Sequence, residues 1–414
     1  MSYDVSVIGL GRVGLPLALS FAEAGLRVLG VDRDAERLDA LRAGRMPFKE
    51  PGTDELLARV RLDVSSVVAD AAQADAIVLT LGTPTFSHIE IDMGDIRAVL
   101  DDLLPVLREG QLVALRSTVA PETTEFVAGY LEKQRGFTVG RDLFVAHVPE
   151  RIAADRFLEE IGTLPCIVGG VGDGSGERAG KLFEVLGAPI VQTTPIQAEL
   201  AKVWTNIYRY AMFALPNLLM MDCERYGANV FDVIELINRD YPRGGIGRPG
   251  LTAGTCLRKD FAFSEEKSNA PGMLLGVSRV HESVPLFLVD GVKRRLGGSL
   301  RERKVAVLGL AFKRDTDDER DSLSHKLIRL LERELADVAV HDPVVATPTA
   351  SLEDAIAGAD VVVVATNHSA FSGPETLAAI AARGGAECIV VDPWDALGGG
   401  QVFAYANEIA ALRA

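Results

Sequence analysis

The sequence predicts an α/β chain of two doubly wound domains joined by a central region of long helices. Three observations carry this. Short apolar runs alternate with helical stretches over residues 5–195 and again over 305–392. From Ile196 to Asn238 a helical pattern continues with no strand pattern between. The first apolar run ends in glycines spaced as in a strand–turn–helix unit. At 414 residues the chain is too long for one core. The expected division is 1–195, 196–300 and 301–414.

The first strand is Val5–Ile8. Gly9-Leu10-Gly11-Arg12-Val13-Gly14 follows, then an apolar helix to Ala24, a second strand Val28–Val31, and Asp32 at its end. Strand, Gly-x-Gly-x-x-Gly, helix, strand and acid form the Rossmann-type dinucleotide fingerprint in its structural context. Gly9 makes the tight turn, and Gly11, with Val13 beside it, lets the backbone approach a pyrophosphate. Gly14 allows close helix packing, and the helix N-terminus faces the negative charge. Asp32 suits the ribose hydroxyls of NAD rather than NADP, although Arg33 is placed to meet a 2′-phosphate.

Further strands are expected at Ala76–Leu81, ending at Gly82-Thr83-Pro84, at Leu112–Ser117, ending at Thr118, and at Leu143–His147, ending at Pro149-Glu150-Arg151. Ligands of parallel sheets lie at carboxyl ends of strands, which makes Thr83, Thr118 and Glu150 candidates. The plainer roles are helix capping for the threonines and a solvated loop acid for Glu150. Pro165–Gly169 and Pro189–Gln192 read as strands around a helix Ser175–Leu186.

The central stretch is expected to be helical, broken by Pro216 and Gly227. Phe213–Met221 is too rich in Leu and Met to stay exposed and suits a shared interface. Glu199, Lys202 and Asn206 are spaced i, i+3, i+7 and share one helical face. A plain Glu–Lys surface pair is the commoner meaning of such spacing. An ammonium and amide held at a developing oxyanion is the chemical one.

After the polar loop Asn238-Arg239-Asp240-Tyr241-Pro242-Arg243-Gly244-Gly245 comes Gly250–Asp260, with Cys256 between glycines and a Lys259-Asp260 pair. A lone cysteine is most often a small buried hydrophobe. A cation and a carboxylate beside it are also what a nucleophilic thiol needs. A helix is expected from Met273 to Leu296, then a linker at Gly297-Gly298-Ser299.

The last region repeats the α/β pattern: strand Val305–Leu308, Gly309–Lys313, helix Ser324–Leu335, and strands Val338–His341, Val361–Ala365 and Ile389–Asp392. It has no glycine triplet, so a ligand other than a second dinucleotide is expected. Arg320 stands out within the acidic run Asp315–Ser322.

Net charge is −15, which argues against nucleic acid or an anionic membrane as partner. The four cysteines form no CxxC pairing, so neither a metal site nor a disulfide framework is expected. The start lacks a basic leader with an apolar core, and no run reaches membrane-spanning length. The expectation is a cytoplasmic protein.

Together these motifs resemble the UDP-sugar 6-dehydrogenase family, over nearly the whole chain. They include the fingerprint, Glu50-Pro51-Gly52, Ser117-Thr118-Val119-Ala120-Pro121, Pro149-Glu150-Arg151, Glu199/Lys202/Asn206, Cys256–Asp260, Gly309–Lys313 and Asp317–Ser322. The resemblance implies an NAD-binding domain, a central dimerisation region, a UDP-sugar-binding domain and a homodimer or larger homo-oligomer. It implies oxidation of a C6 alcohol to a carboxylate with two NAD, through a thioester on Cys256. Lys202, Asn206 and Asp260 would surround the reacting oxygen, and Glu150 would assist hydrolysis with Thr118 nearby. Arg151, Arg243 and Lys313, with Glu150, Lys202 and Asn206, are the implied substrate contacts. Arg320 is implied on the dinucleotide, and Arg243 and Arg320 are implied to act across a subunit boundary. Asn238–Arg243 and Gly254-Thr255-Cys256-Leu257 look more like the N-acetylhexosamine enzymes than the glucose enzymes, although Tyr241 stands where the former carry His. A UDP-glucose enzyme and a β-hydroxyacid dehydrogenase, which also uses a Lys-x-x-x-Asn helix, stay open as alternatives.

Overall fold

A computed structural model describes residues 2–83, 94–252, 254–265, 272–385 and 387–413. Pro84, and Ala253 within the Gly250–Asp260 stretch, lie outside the described residues. By internal packing the chain divides into two compact units, Met1–Thr205 with Phe261–Lys267, and Asn206–Asp260 with Ser268–Ala414.

The first unit holds strands β1 (Tyr3–Ile8), β2 (Val28–Val31), β3 (Asp63–Ser65), β4 (Ala74–Leu79), β5 (Leu112–Leu115), β6 (Phe144–His147), β7 (Cys166–Val171) and β8 (Ile190–Thr193). They form one sheet in the order β3-β2-β1-β4-β5-β6-β7-β8. Neighbours are parallel except β6 and β7. The order reverses between β1 and β4, where a doubly wound sheet opens a crevice at its strand ends. Val5, Val7, Ala76 and Val78 pack into one apolar layer, and Ile8, Ile77 and Leu79 into another. Both faces are covered, which is why these strands are continuously apolar. β4 begins and ends two residues before the predicted Ala76–Leu81, because its ladder with β1 runs from Tyr3↔Ala74 to Ile8↔Leu79.

The second unit holds β9 (Lys304–Leu308), β10 (Asp337–His341), β11 (Val361–Val364), β12 (Ile389–Val391) and β13 (Phe403–Tyr405), ordered β10-β9-β11-β12-β13. β13 alone runs antiparallel to its neighbour. It was not anticipated, since three residues give too little pattern to read.

The helix Pro195–Tyr226 runs through Pro216, so the predicted break there does not occur. Pro216 cannot donate to the Met212 carbonyl. Tertiary contacts hold the turn instead: the adjacent Asn217 is fully buried and bonded to His281 and Gly250. The break at Gly227 does occur, with φ +68° closing the helix end. Among the described residues, no helix is long and apolar enough to cross a membrane.

Candidate active site

The glycines of the fingerprint are required for different reasons. Gly9 has φ +94°, and a Cβ there would lie 2.7 Å from the Thr80 carbonyl oxygen. A Cβ on Gly14 would lie 1.8 Å from the Gly9 oxygen, so the helix can start there only without a side chain. Gly11 meets nothing within 4 Å. Open space at that position is what a closely approaching diphosphate needs. Val13, half-buried, precedes the helix Gly14–Glu23, whose N-terminus has no side-chain cap. The residues present fit a dinucleotide.

Asp32 is buried at the end of β2. It accepts from Leu10 N at 2.6 Å, Asp34 N at 2.9 Å and Arg37 Nη1 at 2.7 Å. Arg33 turns outward, its side chain 86% exposed and paired with Asp95. Arg37 is therefore the cation that meets Asp32, and the sequence reading passed over it. On the β4 side of the crevice, buried Thr83 donates to the Thr118 carbonyl oxygen at 2.7 Å, which ties two candidates together.

A second group gathers beyond β5 and β6. Arg116 and Glu150, both buried, form an ion pair at 2.5 Å. His147 is fully buried, with Nδ1 3.0 Å from the Leu115 oxygen. Burial pushes it down to about 3, and the nearby charges of Arg116 and Lys202 push the same way, so the ring is neutral. Lys202 is itself buried and forms no ion pair among the described residues. Glu199 is not its partner. Its carboxylate accepts from Glu122 N and Thr124 N at 2.8 Å each, and from the Thr124 hydroxyl. It thus caps the helix Thr123–Arg135, which the Ser117–Pro121 segment precedes. Burial raises the Glu199 carboxyl, and the Thr124 and Glu122 donors only partly offset this. A buried cation with no ion-pair partner among the described residues is chemically suited to an anionic or oxyanion-forming ligand. Arg151 gives Nη2 to the Pro165 carbonyl oxygen.

In the second unit, Asp260 is fully buried. It accepts from Asn206 Nδ2 at 2.5 Å on one oxygen and from Lys259 Nζ at 2.9 Å on the other. Cys256 is exposed at the start of the helix Thr255–Asp260, so the thiol and Asp260 stand one turn apart on one face. Gly254 before it has φ +101°, and a Cβ there would press on the Phe312 ring at 2.7 Å. A buried chain of bonds holds the approach to this helix. Gly250 N donates to Asn217 Oδ1 at 2.8 Å, Asn217 Nδ2 reaches His281 Nδ1 at 3.4 Å, and His281 Nε2 donates to the Tyr210 backbone carbonyl oxygen at 2.9 Å. His281 is lowered to about 4 by burial and is neutral.

Arg320 grips Asp318 through two bonds of 2.8 and 2.7 Å. Its charge is reinforced first by Asp318 and, to a smaller extent, by Cys256. Lys313 is half-buried on the turn after β9. That turn repeats the fingerprint's geometry. Gly309 has φ +102°, and Leu310 N donates to Asp342 Oδ2 at 2.6 Å, as Leu10 does to Asp32. Burial alone would raise Asp342, but donation from His368, Leu310 and Val344 holds it well below the usual carboxylate range. Arg243 lies exposed on its loop, stacked 4.7 Å over the Tyr241 ring.

Known proteins match most of the chain. Residues 3–186 match the model of the UDP-glucose/GDP-mannose dehydrogenase family NAD binding domain, residues 196–282 its central domain, and residues 306–398 its UDP binding domain. The chain is 33% identical over 378 residues to the UDP-N-acetyl-D-mannosamine dehydrogenase of Pyrococcus horikoshii, covering 89% of this chain and 90% of that one. It is 32% identical over 393 residues to the NDP-N-acetyl-D-galactosaminuronic acid dehydrogenase of Ralstonia nicotianae, covering 90% and 92%. A solved structure of the UDP-D-ManNAc dehydrogenase from Pyrococcus horikoshii superposes with a TM-score of 0.87 at 32% identity, covering 94% of each chain.

Proposed function

Because the chain belongs to the UDP-glucose/GDP-mannose dehydrogenase family, we propose that it oxidises the C6 alcohol of a UDP-N-acetylhexosamine, of the mannosamine or glucosamine type, to the uronic acid through a Cys256 thioester. The chain is an NAD-dependent UDP-sugar dehydrogenase. The N-acetylated sugar and the covalent route are the proposed parts. The names of the two relatives above and the Asn238–Arg243 and Gly254–Leu257 segments support the sugar. One observation carries the route: an exposed thiol, Cys256, one helical turn from a buried Asp260 that Asn206 binds.

Gly9, Gly11, Val13, Gly14 and Asp32 hold NAD in this reading, with Arg33, Thr83, Thr118 and Arg320 contributing. Bound NAD supplies the hydride acceptor for both oxidations. Lys202 and Asn206 stabilise the C6 oxygen as its proton leaves toward Asp260. The Cys256 thiolate adds to the aldehyde carbon, and the same donors meet the new oxyanion. After the second oxidation a thioester remains. Water assisted by Glu150 breaks its C–S bond, releasing the carboxylate and the thiol. Each acid formed thus consumes two NAD and one water. Arg151, Arg243 and Lys313 anchor the nucleotide sugar. We assign 1–195 to NAD, 196–300 to dimerisation and the cysteine loop, and 301–414 to the nucleotide sugar.

The test is NADH formed per substrate across UDP-N-acetylglucosamine, UDP-N-acetylmannosamine, UDP-glucose and GDP-mannose. Two NADH from an N-acetylated UDP-sugar is the expected result. Two from UDP-glucose alone would replace the sugar, and one per substrate would indicate a single oxidation of the β-hydroxyacid type. Cys256→Ser is expected to abolish acid formation and leave NAD affinity unchanged. Normal acid production by that variant would sink the thioester route.

A further inference from the structure

Arg116 ends the apolar stretch of β5 and is 4% exposed. Its Nη2 donates to Glu150 Oε2 at 2.5 Å, and its Nη1 to the Val148 and Pro149 carbonyl oxygens at 3.3 Å each. The guanidinium lies 5.0 Å over the Phe183 ring. Its Nε is buried with no oxygen or nitrogen partner among the described residues. The other Glu150 oxygen accepts from Ile152 N at 2.5 Å. Each carboxylate oxygen keeps a second lone pair. Beside the pair is a cavity of about 20 Å³, lined by Arg116, Glu150, Arg151, Cys166 and Phe183 among others. That is room for a single water, and the lining supplies both donors and an acceptor.

We propose that Arg116 is the positioning residue of the hydrolytic step: it neutralises Glu150 and holds its carboxylate in place, leaving a lone pair free for the attacking water. The inference rests on the thioester route above. In the step, the water oxygen bonds to the acyl carbon while its proton passes to Glu150. The C–S bond then breaks, and the proton goes on to the departing thiolate. One arm of the planar guanidinium neutralises Glu150 while the other holds the Val148 and Pro149 carbonyl oxygens just before it in the chain, so the fork ties the carboxylate to its own backbone. Lysine keeps the charge and loses the fork. Methionine would leave a buried unpaired carboxylate and threaten folding, so the informative variant is Arg116→Lys.

The experiment is rapid-mix NADH kinetics with the UDP-hexose that supports turnover, followed by intact-mass measurement. Arg116→Lys should keep the wild-type burst of two NADH per site, while steady-state turnover falls about tenfold or more, within the range of a lost general-base contribution. An acyl adduct should accumulate on Cys256. Hydroxylamine, which cleaves a thioester without a protein base, should restore turnover. A merely structural role would lower burst and turnover by one factor and give no adduct. That outcome, or unchanged turnover, overturns the proposal. Wild-type enzyme yielding one NADH per substrate would remove the thioester route and this inference with it; two NADH with an unaffected lysine variant removes the inference alone.

Discussion

Asp32 carries three donors before any ribose arrives, from Leu10, Asp34 and Arg37. An ionised carboxylate offers about four lone-pair positions, so one place is left for a ligand hydroxyl. Asp32→Ala is expected to weaken NAD binding about tenfold or more, the weight of one charge-assisted hydrogen bond. Calorimetric titration with NAD checks this, and unchanged affinity would take Asp32 out of the site. Asp32 was legible because a strand-ending acid after a glycine fingerprint has few other meanings. Arg37 was not, since an arginine on an exposed helical pattern looks like any other. Arg116 left a fainter trace: a charge closing the apolar run Leu112–Leu115, where solvent does not reach. Glu199 misled in the opposite sense. Its spacing from Lys202 suits an ion pair, but two backbone amides and a hydroxyl claim it first.

The helices placed by periodicity were right in kind, and their ends were decided by packing. Pro216 is the clear case: intrinsic propensity ends a helix there, and the buried Asn217–His281 contact carries it on. That contact also sets a pH dependence. Protonated His281 would turn its Nδ1 acceptor into a donor facing the Asn217 amide. His281 and His147 titrate at about 4 and about 3 in the folded chain, below the ordinary 6.5. Below pH 6.5 the unfolded chain therefore binds protons that the folded chain refuses, and stability falls as pH falls. Each histidine contributes a slope of roughly 1 kcal/mol per pH unit at full effect. Asp392 opposes them: burial raises it to about 6, so the folded chain gains a proton there first. Burial raises the Glu50 and Glu199 carboxyls in the same sense as Asp392, and the two histidines, whose ordinary value of 6.5 lies inside the interval, set the direction between pH 7 and pH 5. The urea midpoint is expected to drop between pH 7 and pH 5, and a flat midpoint would contradict the neutral buried rings.

At the scale of the molecule, both sheets were legible as mostly parallel from alternating apolar runs and helical stretches, and the antiparallel β6–β7 pair was not. The three-residue β13 and the division of the chain into two compact units were not, because neither leaves a period to count. Tyr208, Leu215 and Leu218 stand 64%, 51% and 47% exposed on the long helix. Three large apolar side chains on one helix suit a second copy of the chain better than water. Leu215→Glu is expected to shift the assembly from dimer or larger toward monomer in analytical ultracentrifugation. A wild-type chain sedimenting as monomer would end that reading.

The packing at Gly250 has a spectroscopic consequence. A Cβ there would sit 2.4 Å from the Trp394 ring, and the indole Nε1 donates to the Ala365 oxygen at 3.1 Å. The only other tryptophan, Trp204, is half exposed. The two indoles therefore divide the intrinsic emission of the chain. Trp394 is the indole pressed against the backbone six residues before Cys256, so its share of the emission follows that segment. Any rearrangement of the cysteine loop would be reported by a chromophore the protein already carries.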